Sequence, residues 1–534
     1  MPIKTTEAFI AEYPMPRLGV NLRKNVTTLD KEECLKAQNL IWADGMAKRG
    51  GQDLITSTEV VADKPVKGLH RYYKTDGTKQ LLAAAGTTVK YLDGSSWTNV
   101  VTGLTDEQEV HMSTWGGLDK VYISNGTDEL YSWDGSSAVT LSGGTLPSSV
   151  IQTLPYQDRL LSIDNTNPGG LGWSDSFSDA AADWVPPATT EVIPDTQLFG
   201  MINHSLNNTT AGIETQVLLA GANGMHLFSG TDLRTPATTG DYTIYTLGID
   251  VGCESPRTMA WTPKGTMWLG IDKQVYILPF DSATPIAVGS KVQSAQGDIT
   301  GIDNIPAGQL TNASAVYHDG FYKLSITKSG GSYNTEQWWL DITRLQIDAD
   351  GHFGPWYGPM IGQSIGPMIT LTGTGDIGQH YAGEGQDKGY VYEISKDTTR
   401  SDITVSDGSA NAITCSIKTY YNPLNNHSFR KQIDMIEAEF LDTDDSVSVS
   451  FNDITGLLKS AVNFQLQTSA VLWGAQNWGA FNWNDFGRTR KQLAIDPAIW
   501  PRRMCITLTN SSSDNDFKLF SLSAKAVEQS KEFG

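Results

Sequence analysis

A chain of 534 residues is too long for one ordinary hydrophobic core, so it must divide into domains or grow by a laterally extended repeat. Apolar residues make up 39%, and the 52 glycines bring that close to half, the level of a folded soluble protein rather than a disordered one. The formal charge of -20, from 39 basic against 59 acidic residues, argues against sequence-specific duplex binding, which needs Lys and Arg to neutralise phosphates. Such acidity keeps a solitary protein soluble, and in a channel that passes DNA it would keep the duplex from sticking.

The first residues hold no apolar run long enough for a signal peptide, and no later stretch approaches the roughly 20 apolar residues of a membrane span. The expectation is a protein made and kept in a cytoplasm, with no stable membrane insertion. Residues 1–60 carry the one good helix signal. Asp30 has the form of an N-cap with Glu33 three residues on, and Leu29 and Cys34 stand where a hydrophobic staple places them; a short helix is predicted over 31–40. A strand at 41–45 and the basic Lys48-Arg49-Gly50-Gly51 follow.

From about residue 66 a unit repeats: an apolar strand, a Gly-rich reversal, a second strand ending in an aromatic, and a polar turn. Two clear copies, 81–94 and 121–135, end in Asp-Gly turns 41 residues apart. Looser copies bring the count to seven, marked by Tyr91, Tyr131, Trp173, Phe228, Tyr276, Trp339 and Tyr392, at intervals of 40 to 63 residues. A four-stranded propeller blade recurs at about 40–50 residues, and the longer intervals leave room for inserted loops such as 189–212 and 282–312. Hairpins of this kind cannot bury their faces alone and must stack around an axis. The prediction is an all-β chain with a β-propeller of about seven blades over 61–399.

Residues 400–411 read as a linker, and strand-like runs at 412–421, 432–441, 446–451, 504–509 and 517–527 predict a small β-sandwich over 400–534. Between them Trp473, Trp478, Phe481 and Trp483 crowd into eleven residues. Aromatics so close either pack a sandwich corner or form an interaction surface, since Trp anchors are enriched at interface centres.

Chemistry is sparse. The eight histidines are isolated, with no HExxH, no GxGxxG fingerprint opens a helix after a strand, and no P-loop occurs, so no cofactor or metal site is expected. Cys34, Cys253, Cys415 and Cys505 show no CxxC pairing and are expected to be reduced and buried. Propellers host glycosidases, which work through paired carboxylates. The sialidase-type repeat Ser-x-Asp-x-Gly-x-x-Trp fails here, because Asp93-Gly94-Ser95-Ser96-Trp97 lacks the residue between Asp and Gly. Asp341, Asp348 and Asp350 beside Trp338 and Trp339 could line a sugar site, but an acidic solvated turn explains them more simply. His111, His226 and His380 fall in or beside strands and read as structural.

The stretch Gly19-Val20-Asn21-Leu22-Arg23, then Ala37-Gln38-Asn39-Leu40, then Met46-Ala47-Lys48-Arg49-Gly50-Gly51 resembles the opening of phage virion proteins, in which a Gly-Leu-Asn-x-Arg phrase precedes a short helix, an x-Gln-Asn-x strand and a basic Arg-Pro-Gly-like turn. Gly50 stands where Pro is usual. Residues 158–163, with Leu171-Gly172-Trp173-Ser174-Asp175 and Asp183-Trp184, are similar to a blade of that group. The resemblance is to the propeller-bearing nozzle or hub of short phage tails. It implies a non-enzymatic ring of copies, six-fold, below the portal and adaptor proteins, forming part of the conduit for ejected DNA without sequence-specific contact. Two rival readings are a receptor- or carbohydrate-binding propeller and a glycosidase.

Overall fold

The computed structural model describes residues 8–185, 197–208, 212–233, 241–294, 299–396, 398–403, 409–425, 430–441, 446–465, 488–512 and 516–528. Six separate four-stranded antiparallel sheets succeed one another along the chain, spanning 66–102, 111–141, 150–185, 198–246, 260–287 and 314–361. In each sheet the first strand lies innermost. The inner strands Val66–Tyr73, His111–Trp115, Val150–Tyr156, Leu198–Asn208, Ala260–Thr262 and Ser314–His318 pack successively side by side. The ring is closed by Ile365–Thr370, which touches both Ser314–His318 and Val66–Tyr73. The chain is therefore a β-propeller.

The discrete blades number six, where about seven were expected. Ile365–Thr370 pairs with His380–Glu384, and that with Val391–Lys396, but this last repeat does not end as a sheet of its own. It runs on into a ten-stranded sheet shared with both ends of the chain. The aromatic period is nonetheless structural, because all seven markers fall on the third strand of their repeat. Tyr91 lies opposite Leu82, Trp173 opposite Leu161, Phe228 opposite Val217 and Tyr392 opposite Ala382, each a cross-strand pair facing a neighbouring unit.

Polar side chains clasp the units together at the inner ring. His70 Nε2 meets Thr114 Oγ1 at 2.7 Å, Ser113 Oγ meets Thr153 Oγ1 at 2.7 Å, and Ser314 Oγ donates to Gly366 O at 2.6 Å. The Gln152 carboxamide bonds both the N–H and the C=O of Met201, at 2.7 and 2.9 Å, as a peptide unit of another strand would. Where the last repeat meets the first, Asp376 holds Arg71 at 2.9 Å and Lys79 at 3.1 Å.

The residues predicted as a helix form none, and among the described residues there is no α-helix. Only half of the capping box forms: Glu33 Oε2 accepts from Asp30 N at 3.3 Å, but Glu33 N donates to the backbone Asp30 O at 3.0 Å and the Asp30 carboxylate accepts from Glu32 N instead, at 2.9 Å. They close a turn, after which Cys34–Gln38 is a strand paired with Ala410–Thr419. A surface helix buries one stripe, whereas Cys34, Leu35, Ala37 and Gln38 are all buried here; the tertiary partner overrides a weak local preference. The segment contributes β1 (Ala8–Glu12), β2 (Cys34–Gln38), β3 (Leu40–Trp42), β4 (Met46–Lys48) and β5 (Gly51–Leu54). β1 and β4 pair with Lys518–Glu528, β3 with β4, and β5 with Val391–Lys396. The loop expected at 189–212 is also part strand, since Leu198–Asn208 is an inner strand paired with Gly212–Gly221.

Beyond the propeller, Ala410–Thr419, Cys505–Ser512, Ser446–Asp453 and Gly456–Gln465 continue the ten-stranded sheet. A six-stranded sheet combines β1, β3 and β4 with Lys518–Glu528, Lys431–Leu441 and Arg488–Ile499. Ile417, Val449 and Leu508 of the first sheet share one apolar core with Ile436, Phe440 and Ala524 of the second. Three strands of this region were missed in the sequence: Ser401–Ile403, inside the expected linker, pairs with Ala410–Thr419, and Gly456–Gln465 and Arg488–Ile499 are the edges of these sheets, where polar residues are tolerated.

Gly19 shows how closely the N-terminal segment is seated on the propeller. Its φ is +75°, and a Cβ there would lie 2.2 Å from Trp356 O. Gly19→Ala is expected to cost at least 2 kcal/mol, roughly, from backbone strain and overpacking. A thermal melt within a degree of the parent would refute this seating.

Candidate functional site

The seven inner strands enclose an axial cavity of about 1240 Å³, to which every one of them contributes lining residues. Met112, Met201, Met259 and Met368, with Leu69 and Leu154, make its wall mainly apolar. At strand rise of about 3.3 Å per residue, inner strands of about six residues give a length near 20 Å, and the space open to the centre of a water molecule is then roughly 9 Å across, or about 12 Å from wall to wall. The major groove of B-DNA alone is about 12 Å wide, so a duplex does not pass through one propeller.

The wall is not acidic. Its acids Asp319 and Glu393 are matched by Arg257 and Lys396. Lys396 Nζ lies 3.1 Å from Asp53 and 3.3 Å from Glu393, and Arg257 pairs with Glu109. His111 and His318 also line the cavity. Burial depresses both imidazoles, His318 to about 3 with a further contribution from the nearby Lys323 charge.

Of the residues that resemble phage virion proteins, those at 158–163, 171–175 and 183–184 lie in or beside the strands of the third sheet, and the N-terminal ones lie in buried contacts of the N-terminal segment with the propeller and the C-terminal sheets. Arg49 is 1% exposed, and all five of its guanidinium N–H groups are engaged. Nη1 and Nη2 grip Asp402 at 2.9 and 2.5 Å; the others donate to Asn39 Oδ1 at 3.0 Å, Gly50 O at 3.0 Å and Ile361 O at 2.9 Å. Asn39, at φ +54°, donates through Nδ2 to Thr414 O at 2.9 Å, while its Oδ1 also accepts from Ile361 N at 2.8 Å. Gln38 Nε2 reaches the same Thr414 O at 3.1 Å.

Asn21 anchors a second buried cluster. Its Nδ2 donates to Glu33 Oε1 at 3.0 Å, and the buried Lys291 meets that same oxygen at 2.7 Å. Lys291 also reaches Asp348, at 3.3 Å, and Lys24 lies 2.9 Å from Asp350. Burial would raise the Asp348 carboxyl, but hydrogen bonds from His352 and Asp350 and the Lys291 and Lys24 charges outweigh it and hold it below its ordinary value.

These contacts decide the status of the acidic turn. Asp348 and Asp350 are tied to lysines, and Asp341 to Arg344 at 2.7 Å. The Trp338 and Trp339 indoles donate inward to Glu336 and Gln337. These residues do not converge on a sugar-sized pocket. His226 bonds Thr246 at 3.0 Å, and His380 packs against His318 with ring centroids 4.8 Å apart and planes tilted by 35°. All four cysteines are free and buried. Among the described residues no group of three or more His, Cys, Asp or Glu is placed to hold a metal. Trp473, Trp478, Phe481 and Trp483 lie outside the described residues.

The cavity escaped the sequence reading because its methionines are single residues on strands far apart in the chain. The Arg49 joint was half visible: the basic turn stood out, but its partner Asp402 lies 353 residues away.

No family model and no curated protein matches the sequence. Among solved structures, the chain is similar to the WD40 β-propeller domain of Doa1, with 10% identity over 64% of this chain and 97% of that one, at a TM-score of 0.37. It is also similar to YCF48 bound to D1 peptide (10% identity, 67% and 97% coverage, TM-score 0.36) and to YCF48 from Cyanidioschyzon merolae (9%, 64% and 98%, TM-score 0.37). What this chain has in common with them is the propeller fold alone.

Proposed function

We propose that this chain is a structural component of a bacteriophage tail, a ring-forming nozzle or hub protein below the portal and adaptor that forms part of the conduit for ejected DNA. The observation that carries the reading is the placement of the resembling residues. Gly19 and Asn21 seat the N-terminal segment on the propeller, and Gln38, Asn39 and Arg49 join the propeller to the C-terminal sheets. A rigid body is what a load-carrying ring requires, and heterologous contacts between such bodies close into rings. We read the last repeat, with β5 as its outer strand, as a seventh blade, and the two C-terminal sheets as a β-sandwich. With a bore of about 12 Å in each propeller, the DNA path in this reading runs between copies, around the ring's own axis. The virion tail is then the protein's location, and portal, adaptor and further copies are its partners.

Electron microscopy of intact particles of the encoding phage, labelled with antibody against this chain, tests the assignment. Label confined to the tail below the head is expected. Particles without label, combined with binding of the purified chain to host glycans, would overturn it in favour of the receptor-binding reading.

A further inference from the structure

Far along the chain from the propeller repeats, the six-stranded sheet has an open edge at β1, which pairs with Lys518–Glu528 and with no other strand. In an antiparallel pair, alternate residues turn their N–H and C=O towards the partner and the residues between turn theirs away. Tyr13 N donates to Leu522 O, so Tyr13, Ala11 and Phe9 face the partner strand, and Glu12, Ile10 and Ala8 face outward. The outward carbonyl of Glu12 accepts from the Asn422 carboxamide at 2.8 Å, as it would from the N–H of a neighbouring strand. The N–H and C=O of Ile10 meet no partner among the described residues.

That edge borders a groove of about 740 Å³, which at the spacings of a β-sheet has room for at least roughly five residues of extended chain, the length of β1 itself. Phe9, Leu29, Tyr420 and Pro423 give the groove an apolar wall. Lys31 and Arg503 also line it, and among the described residues neither has a carboxylate within ion-pair reach; Arg503 donates to Thr27 O at 2.9 Å. In a chain of net charge -20 this is unusual, since cations such as Lys24, Arg49, Lys64 and Arg71 are all paired with acids. The one acid of the lining, Glu12, sits at the end that Asn422 closes. A free strand edge is a template for an added strand, and the two cations beside it select for negative charge. We propose that this groove binds an extended acidic segment of a partner protein, which adds a strand to β1 through the N–H and C=O of Ile10, turns apolar side chains to the wall and sets carboxylates against Lys31 and Arg503. This inference does not depend on the tail assignment.

The test uses the full-length protein as bait against a yeast-displayed library of random twelve-residue peptides, with the enriched pool then depleted on the Lys31→Glu/Arg503→Glu variant. The peptides that bind the parent but not this variant are expected to alternate Asp or Glu with apolar residues. Their affinity is expected to fall several-fold in Lys31→Ala/Arg503→Ala and about tenfold in Ile10→Pro. An edge strand tolerates proline where the N–H points away from the ladder, so Ile10→Pro removes the outward donor and leaves the β1 pairing intact. Lys264→Ala, exposed on the fifth sheet, is expected to leave binding unchanged. A second measurement is independent of any change to the protein: the same peptides N-methylated at alternate residues keep their side chains, lose strand hydrogen bonds, and are expected to bind at least about tenfold more weakly. An empty pool, surviving peptides without acidic residues, or affinity indifferent to backbone N-methylation would each overturn the proposal.

Discussion

Arg49→Ala is expected to be among the most damaging single substitutions in the chain, costing about 3–5 kcal/mol of unfolding free energy. The reason is asymmetry. Asp402 is 3% exposed and would be left as a buried charge with Gln363, at 3.2 Å, as its one remaining side-chain partner. The carbonyl of Ile361 and the Asn39 amide oxygen would also each lose a donor. Asp402→Ala should cost a similar amount by stranding the guanidinium. The double variant Arg49→Met/Asp402→Leu, which removes both charges and keeps volume, should recover much of the loss, because buried ion pairs are worth little against apolar replacements but a great deal against a broken pair. Urea unfolding of the three variants measures this. Single variants within about 1 kcal/mol of the parent would show that the joint does not hold propeller and C-terminal sheets together.

Mild acid is expected to destabilise the fold by several kcal/mol, on the order of one pKa unit's 1.36 kcal/mol multiplied over several histidines. Burial holds His70 and His204 down at about 4 and His318 at about 3, and it lowers His111, His226 and His380 as well. An unfolded imidazole titrates near 6.5. Above that pH both states are neutral and the stability is fully present. Below it the unfolded chain takes up protons that the folded one refuses, so stability falls steadily from about pH 6.5 towards pH 4. Asp164, Glu336 and Glu384, raised by burial, act in the opposite sense because the folded state gains their protons first. They are fewer than the histidines. Asp134, held at about 2 by hydrogen bonds from Ser137 and Ser136, loses its contribution only below about pH 4, outside this window. Melting temperatures at pH 7.5, 6.5, 5.5 and 4.5 should drop progressively, and His204→Gln should flatten the slope. A constant melting temperature between pH 7.5 and 5 would contradict the buried neutral assignment.

Much of the architecture was legible because it repeats. A hairpin with an aromatic at a fixed place recurs in the text, and each of those aromatics occupies a third strand, where it packs between neighbouring sheets. The count was harder to read than the repeat. The last unit pairs with β5, more than 300 residues earlier in the chain, and runs on into a larger sheet, so no local signal marks that it forms no sheet of its own.

The N-terminal segment was misread for a related reason. Glu33 does reach back to the Asp30 N–H as in a capping box, but it is then captured by Lys291, and Cys34–Gln38 by a strand near residue 417, partners that no window of neighbouring residues contains. The Arg49 turn was noticed for its charge. Its function became apparent only with Asp402 beside it. Scattered methionines carry no local pattern at all, and only closure of the ring gathers them around one axis.

The central claim is that this is a rigid body whose task is geometric, assembled side by side with copies of itself. Light scattering of the purified full-length chain, across a range of concentrations, addresses it most directly. A closed species at a fixed multiple of the 58.1 kDa chain, six-fold in this account, is the predicted result. A particle that stays at the mass of one chain at every concentration, alone and with portal and adaptor proteins added, would contradict it.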